Sequence, residues 1–185
     1  LPSVMDFMLY SELPKALKEK DGWDSGMTRL YNVVTSDFLY PDINNLLVFF
    51  ENHDTERWNE MFNGNPEAYK LALTLISTVR GIPQIYYGTE ILMNGTKEEG
   101  DGSIRKDFPG GWNDDSINAF KPEGRNSQQT EAWEFLKKLL HWRKNNIAVT
   151  DGDLIHYAPT DNGCYVYARM KDDKTVLVIL NGTNK

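Results

Sequence analysis

Apolar positions in this chain change their period along its length, and each change predicts a change of structure. Leu46-Leu47-Val48-Phe49-Phe50 is continuously apolar and runs straight into Glu51-Asn52-His53-Asp54. Short unbroken apolarity suits a strand buried on both faces, as in a parallel sheet, although a buried helix segment carries the same pattern. Pro41 and Asn44-Asn45 bound the run in front. Ile82 to Tyr87 is a second such run, ended by Gly88-Thr89-Glu90. Between the two, Asn65 as cap and Pro66 as first helical residue open a helix. Ala68, Leu71, Ala72, Leu75, Ile76 and Val79 follow the spacing of one buried face. Arg80 suits the negative end of that helix, and Gly81 with Pro83 stops it. Strand, helix and strand make a βαβ unit with a right-handed crossover.

Upstream, Ser3 to Phe7 reads as a short strand, and Ser11 caps a helix through Lys20 with Pro14 in its first turn. Asp21 to Gly26 is loop. Met27 to Leu39 has Leu30, Val33, Val34 and Phe38 at helical spacing, but its β-branched residues leave helix and strand both open. Residues 89–129 form a long loop dense in Gly, Asp, Asn and Pro. Loops of that length are more often functional than idle, and Ile104, Phe108, Trp112 and Phe120 offer it packing anchors. An amphipathic helix over Thr130–Lys144 follows, with Trp133, Leu136, Leu139, Leu140 and Arg143 on one stripe. After Asp151-Gly152 the period becomes two. Leu154–Tyr157, Cys164–Met170 and Thr175–Leu180 read as antiparallel strands, with turns at Asp161-Asn162-Gly163 and Lys171-Asp172-Asp173-Lys174.

Composition narrows the function. The 185 residues suffice for one core, at most one and a half. A net charge of −7 argues against a nucleic-acid surface, which needs a basic stripe. No apolar run approaches the ~20 residues of a membrane span, and no signal peptide is visible. The lone Cys164 excludes an internal disulfide. The opening Leu1-Pro2-Ser3-Val4-Met5-Asp6-Phe7 reads like the middle of a longer protein. Aromatic residues are 12% of the chain, enough to serve both a core and surfaces on which sugar rings stack.

Three constellations carry candidate chemistry. In Asn52-His53-Asp54, with Arg57 close behind, a carboxylate beside a His can stabilise developing positive charge, and both can bond sugar hydroxyls. A structural His-Asp pair or a helix cap fits the same residues. Asp101 and Arg105, four apart, suit a bidentate pair that grips a polar ligand, or a plain surface ion pair. Asp107-Phe108-Pro109-Gly110-Gly111-Trp112 presents Trp112 on a glycine turn, as a sugar platform or, more commonly for such loops, as an aromatic pin. There is no Gly-x-x-x-x-Gly-Lys, no His-Glu-x-x-His, no Gly-x-Ser-x-Gly and no Cys pair for zinc. His53, His141 and His156 make no metal signature, so neither a metal nor a cofactor is expected.

Phe49-Phe50-Glu51-Asn52-His53-Asp54 resembles the fourth conserved region of the α-amylase family of glycoside hydrolases. Gly81-Ile82-Pro83-Gln84-Ile85-Tyr86-Tyr87-Gly88-Thr89-Glu90-Ile91 is similar to its eighth-strand segment. Asp101 and Arg105 match its Asp-x-x-x-Arg pair, and Glu99 to Trp112 is most similar to the cyclomaltodextrinase and neopullulanase branch, notably Bacteroidetes-type members. The resemblance covers nearly the whole chain. It implies an α/β fold: residues 1–150 as the last part of a (β/α)8 TIM barrel, about strands six to eight with their helices, and residues 151–185 as the incomplete start of a C-terminal antiparallel β-sandwich domain.

The resemblance also implies roles. Asp54 would be the catalytic carboxylate that binds sugar hydroxyls at the cleavage subsite and favours an oxocarbenium-like transition state. His53 would bond the same ring, and Asp101 with Arg105 would hold its far edge. Asn52, Arg57 and Trp112 complete the expected substrate contacts, with Trp58 as a further outer candidate. The family's nucleophile and general acid lie on strands four and five, and nothing here matches their motifs. The expected function is therefore a piece of a retaining α-glucan hydrolase that is silent alone. The alternative is a non-catalytic carbohydrate-binding or accessory module. The expected partner is an α-glucan oligosaccharide. Three barrel strands leave two sheet edges open, which predicts self-association of the piece or a local rearrangement.

Overall fold

The computed structural model describes residues 3–160 and 163–183. These residues fall into two compact units, one within residues 1–50, 71–84 and 141–185, the other within residues 51–70 and 85–140. The first unit contains both sheets. Its parallel sheet joins β1 (Val4–Met5), β2 (Leu46–Val48) and β3 (Ile82–Pro83) in that order. The central strand pairs on both sides, Val4 with Leu46 and Leu47 with Ile82. The strand reading of this run therefore holds over Leu46–Val48, and the helical alternative falls; of the second run, Ile82 to Tyr87, only Ile82–Pro83 is strand. Pro83 lacks an N–H and is tolerated because β3 is an edge strand. Gly81 enters β3 at φ +90°, where a Cβ would sit 2.5 Å from the Leu46 carbonyl oxygen, so the turn needs glycine.

Helix α1 (Phe7–Lys18) starts earlier than the sequence suggests, and the strand over Ser3–Phe7 is cut to two residues. The reason is Asp6. Its carboxylate accepts the Leu9 N–H at 2.9 Å and caps the helix before Ser11 is reached. Pro14 consequently lies mid-helix, and Leu9, Leu13 and Ala16 form the buried stripe. Helix α2 (Thr28–Thr35) settles the undecided segment in favour of helix, with Leu30, Val33 and Val34 buried. Phe38 falls outside that face, in a following 3₁₀ turn, and is exposed.

Among the described residues three short helices lie outside the expected elements: α3 (Trp58–Met61), one in the long loop and the last helix of the chain, both described below. Helix α4 (Pro66–Thr78) starts as expected, with the Asn65 side chain accepting from the Glu67 and Ala68 N–H groups. Leu73, Ser77 and Thr78 are buried along with Ala68, Ala72, Leu75, Ile76 and Val79 of the expected face, while Leu71 is only half-buried, so the second half of the helix is enclosed nearly all round. Its end is built differently from the expectation. Arg80 does not merely sit in the helix field. Its buried guanidinium bonds Asp6 at 2.5 Å and forks onto Asp37 at 2.6–3.0 Å. Burial opposes the charge, but Asp37 and Asp6 outweigh it and hold Arg80 ionised.

The long loop contains helix α5 (Asp101–Ile104) and several 3₁₀ turns. Helix α6 (Ser127–Lys144) begins three residues before the expected start. Asn126 and Gln129 form a reciprocal capping box: each side-chain oxygen accepts the other's backbone N–H, at 2.9 and 3.0 Å. Helix α7 (Ile147–Asp151) then leads into β4 (Asp153–Tyr157), β5 (Cys164–Lys171) and β6 (Lys174–Asn181). All pairs are antiparallel, in the order β4-β5-β6. Asp172 turns the second hairpin at φ +53°. The proposed first turn falls mainly on Asp161 and Asn162, outside the described residues.

The antiparallel sheet has two apolar faces. Tyr165, Tyr167, Val178 and Leu180 are buried, whereas Ile155, Tyr157, Leu177 and Ile179 on the opposite face are exposed. Arg169 on β5 donates to the Thr78 and Val79 carbonyls at 3.0 and 2.8 Å and to Gly152 at 2.6 Å. Arg143 donates to Ser77 at 2.7 Å and Gly81 at 3.2 Å. These two arginines satisfy carbonyls that the end of α4 leaves without helical partners.

The Arg80 cluster yields a stability prediction. Replacing Arg80 with Met strands the fully buried Asp6 and costs about 3–5 kcal/mol. Urea unfolding of the wild-type and R80M chains measures this, and a loss within experimental error would refute it.

Candidate functional site

The candidate residues lie in the second unit, starting with the loop that follows β2. Its shape is local chemistry. The Asn52 side-chain oxygen accepts the Asp54 N–H at 2.8 Å, and the Asn52 N–H donates to the Thr55 hydroxyl at 2.8 Å. Such turns are what Asn and Thr make readily. Asn52 and Thr55 turn inward and are buried, leaving His53 and Asp54 with side chains 60% exposed. Asn52 therefore serves the turn, in place of the direct ligand contact expected of it.

Arg105 gathers the rest. Its Nη2 donates to Asp54 Oδ1 at 2.8 Å and pairs with Asp101 Oδ2 at 2.9 Å, while its Nε donates to the His53 carbonyl at 2.8 Å. One turn of α5 separates Asp101 and Arg105, which lets both reach the same point. His53 Nε2 lies 3.2 Å from the other Asp54 oxygen. Lys97 donates to Asp101, and together with Arg105 it holds that carboxyl below its usual range. Exposed ion pairs of this kind contribute little stability. Their effect is orientational: two carboxylates are set around one guanidinium with an imidazole on the far side of Asp54, and oxygen lone pairs remain open to water.

Underneath lies a buried layer that the sequence did not reveal. Arg57 was expected to contact a ligand, but it is 0% exposed, which corrects that expectation. Its Nε donates to the Ile104 carbonyl at 3.0 Å, its Nη1 to the Tyr87 carbonyl at 2.7 Å, and its backbone N–H to Gly95 at 3.1 Å. The guanidinium lies 4.0 Å over the Tyr86 ring and 3.5 Å from Glu51. Glu51 also accepts from the Thr89 hydroxyl and the Trp58 N–H. Burial raises the Glu51 carboxyl, against those bonds, and raises Glu90 too. Trp58, the other outer candidate, is equally buried. An Arg in the middle of a polar loop carries no local signal of such a role, because the carbonyls its side chain binds lie 30 and 47 residues away.

Trp112 belongs to a separate turn. Asp115 accepts from the Gly110 and Trp112 N–H groups at 2.6 and 3.1 Å, and the indole is 63% exposed. Phe108 and Phe120 pack ring on ring at 4.4 Å beside it and act as the pins of the loop. Among the described residues, none of the bonds that join Asp54, Asp101 and Arg105 includes Trp112. Also among them, no three His, Cys, Asp or Glu side chains are grouped to hold a metal ion, and no helix is long and apolar enough to cross a membrane.

Two family matches cover most of the chain. Residues 3–131 match the family described as Alpha amylase, catalytic domain, and residues 154–185 match the Cyclo-malto-dextrinase C-terminal domain. A cyclomaltodextrin glucanotransferase of Geobacillus stearothermophilus is 30% identical over 97% of this chain and 22% of its own length. The chain thus spans about a fifth of the length of the first curated relatives it matches. Among solved structures, an alpha-amylase from Geobacillus thermoleovorans, complexed with acarbose, superposes with a TM-score of 0.75 at 26% identity. That match covers 99% of this chain and 37% of the other. The cyclic alpha-maltosyl-(1→6)-maltose hydrolase of Arthrobacter globiformis, solved with maltose, shares the fold at a TM-score of 0.73 and 20% identity, over 96% of this chain and 36% of its own.

The buried Glu51 predicts a pH dependence. Its carboxyl holds its proton more tightly in the folded chain than at the ordinary value of 4.5. Such a group contributes stability below its unfolded pKa, and that contribution is lost as pH rises through the folded value. Wild-type stability should fall more steeply than that of Glu51→Gln from pH 4.5 toward neutrality. Urea unfolding at a series of pH values reads the difference; parallel curves would count against it.

Proposed function

The chain belongs to the α-amylase family, and from that premise we propose that it is part of a longer retaining α-glucan hydrolase of the cyclomaltodextrinase and neopullulanase type. Residues 1–150 contribute the last strands and helices of its (β/α)8 barrel, and residues 151–185 begin its β-sandwich. The observation that carries this reading is the exposed Asp54 carboxylate, held by Arg105 against Asp101 with His53 beside it. A carboxylate fixed in that way accepts hydroxyl hydrogens of a bound sugar. Its charge favours the ring as it flattens and becomes positive. His53 bonds the same ring, and Asp101 with Arg105 holds the far edge. Trp112 adds an outer contact. Asn52 and Arg57 act from beneath, by holding the loop.

Retaining hydrolysis needs two further carboxyls ~5–5.5 Å apart, one nucleophile and one acid. No motif in these 185 residues supplies them. The chain alone is therefore catalytically silent: incubated with maltoheptaose, it should release no more reducing sugar than a blank. In the longer protein, Asp54→Asn should lower kcat by about 10²–10³ with little change in KM. Hydrolysis by the purified chain, or full activity of the Asp54→Asn enzyme, would sink this reading.

The isolated chain also self-associates. The outer strands β1 and β3 leave edges of the parallel sheet unpaired, and Ile155, Leu177 and Ile179 are exposed together on the antiparallel sheet. Light scattering should report a mass above 21.3 kDa, and the double change Leu177→Lys, Ile179→Lys should bring it down. A monodisperse wild-type monomer would refute this.

A further inference from the structure

Trp23 is the most exposed of the large hydrophobic side chains described, at 97%. The loop around it, between α1 and α2, is tightly built. The Asp21 carboxylate accepts the Met27 N–H at 3.2 Å, the Ser25 hydroxyl donates to the Lys20 carbonyl at 2.9 Å, and the Thr28 hydroxyl donates to Gly22 at 3.0 Å. Gly26 turns at φ +62°, where a Cβ would lie 2.3 Å from Asp21 Oδ1. The fold thus spends several specific bonds to hold an indole in water, where an apolar ring is least favoured.

A groove of about 470 Å³ opens beside it, within the range of small-molecule sites. Asp24, Tyr31, Asn32, Pro159 and Thr160 line it with Trp23. Tyr31 is braced from behind by the His156 ring, 4.7 Å away, and His156 in turn bonds the Tyr165 hydroxyl at 3.0 Å. A flat ring beside a carboxylate, an amide and hydroxyls is the chemistry that recognises a pyranose: C–H groups on the ring face, hydroxyls on the polar atoms. A peptide partner would need an apolar pocket for its anchors, and apart from Trp23 and Tyr31 the apolar lining is only the small Ala158 and Pro159.

We infer that this groove is a second α-glucan-binding site, separate from the Asp54 cluster, that holds a glucan chain on Trp23 without cleaving it. The ligand class rests on the proposed function; the site itself rests on the loop and groove.

Maltoheptaose binding to the whole chain tests the inference, by calorimetry and by the fluorescence of the exposed indole. Trp23→Ala should weaken binding at least about tenfold, Trp23→Phe should restore part of it, and in Asp54→Asn the sugar-induced change in indole fluorescence should persist. Circular dichroism should show all three variants folded, since Trp23 is out in solvent. No binding by the wild type, or equal binding by Trp23→Ala, would overturn the second site. Binding lost only in Asp54→Asn would overturn it too, while supporting the Asp54 reading. A Trp23→Ala change that altered only the state of association would mark the indole as a protein contact and likewise refute the glucan site. Failure of the parent's Asp54 chemistry shows in kcat, which this titration does not measure.

Discussion

The loop that carries Asp54 keeps its form because a fully buried guanidinium lies under it. Arg57 binds two distant carbonyls, stacks on Tyr86 and faces Glu51. A buried charge has to be satisfied from several directions at once, or it costs several kcal/mol. That requirement limits where Ile104, Tyr87 and Glu51 sit, and Ile104 closes the turn that aligns Asp101 with Arg105. The same device recurs in the other unit. Arg80 draws Asp6 and Asp37 together, and Arg169 with Arg143 takes up the carbonyls at the end of α4. Replacing such clusters with apolar groups is often neutral for stability. Their contribution is to specify geometry where short strands and loops leave many backbone groups without regular partners.

This division of labour explains the site. The groups that fix it are buried and multiply bonded, and the groups that face solvent are held by one or two exposed ion pairs. Asp54 and Asp101 are acceptors set around Arg105, with free lone pairs, a suitable posture for hydroxyl-rich ligands. The antiparallel sheet shows a related feature. One face packs through Tyr165, Tyr167 and Arg169, while the other presents Leu177 and Ile179 to water. Two apolar faces on one sheet are the pattern of a sandwich layer, in keeping with the Cyclo-malto-dextrinase C-terminal match over residues 154–185.

Much was legible from residue pattern alone. The central strand at Leu46, the Asn65-Pro66 helix start and the three period-two strands follow from local periodicity and turn chemistry, which short segments express wherever they are placed. Boundaries were missed where a side chain capped an end in an unexpected place. Asp6 ended the first strand early, and the box formed by Asn126 and Gln129 began α6 three residues sooner. Asn-x-x-Gln ahead of an amphipathic run is itself the local mark of that start.

By itself, the sequence determined the longer elements, the family and the residue types available for sugar chemistry, because those depend on neighbours within about a helical turn or on a contiguous motif. Only the tertiary structure decided which of those residues face a ligand. Asn52, Arg57 and Trp58 look as available as Asp54 in the string, yet they are buried, and Trp23, in a short loop with no motif, stands in solvent. Burial is a property of contacts between segments tens of residues apart. A guanidinium whose carbonyl partners lie 30 and 47 residues away carries no mark of them in its own surroundings.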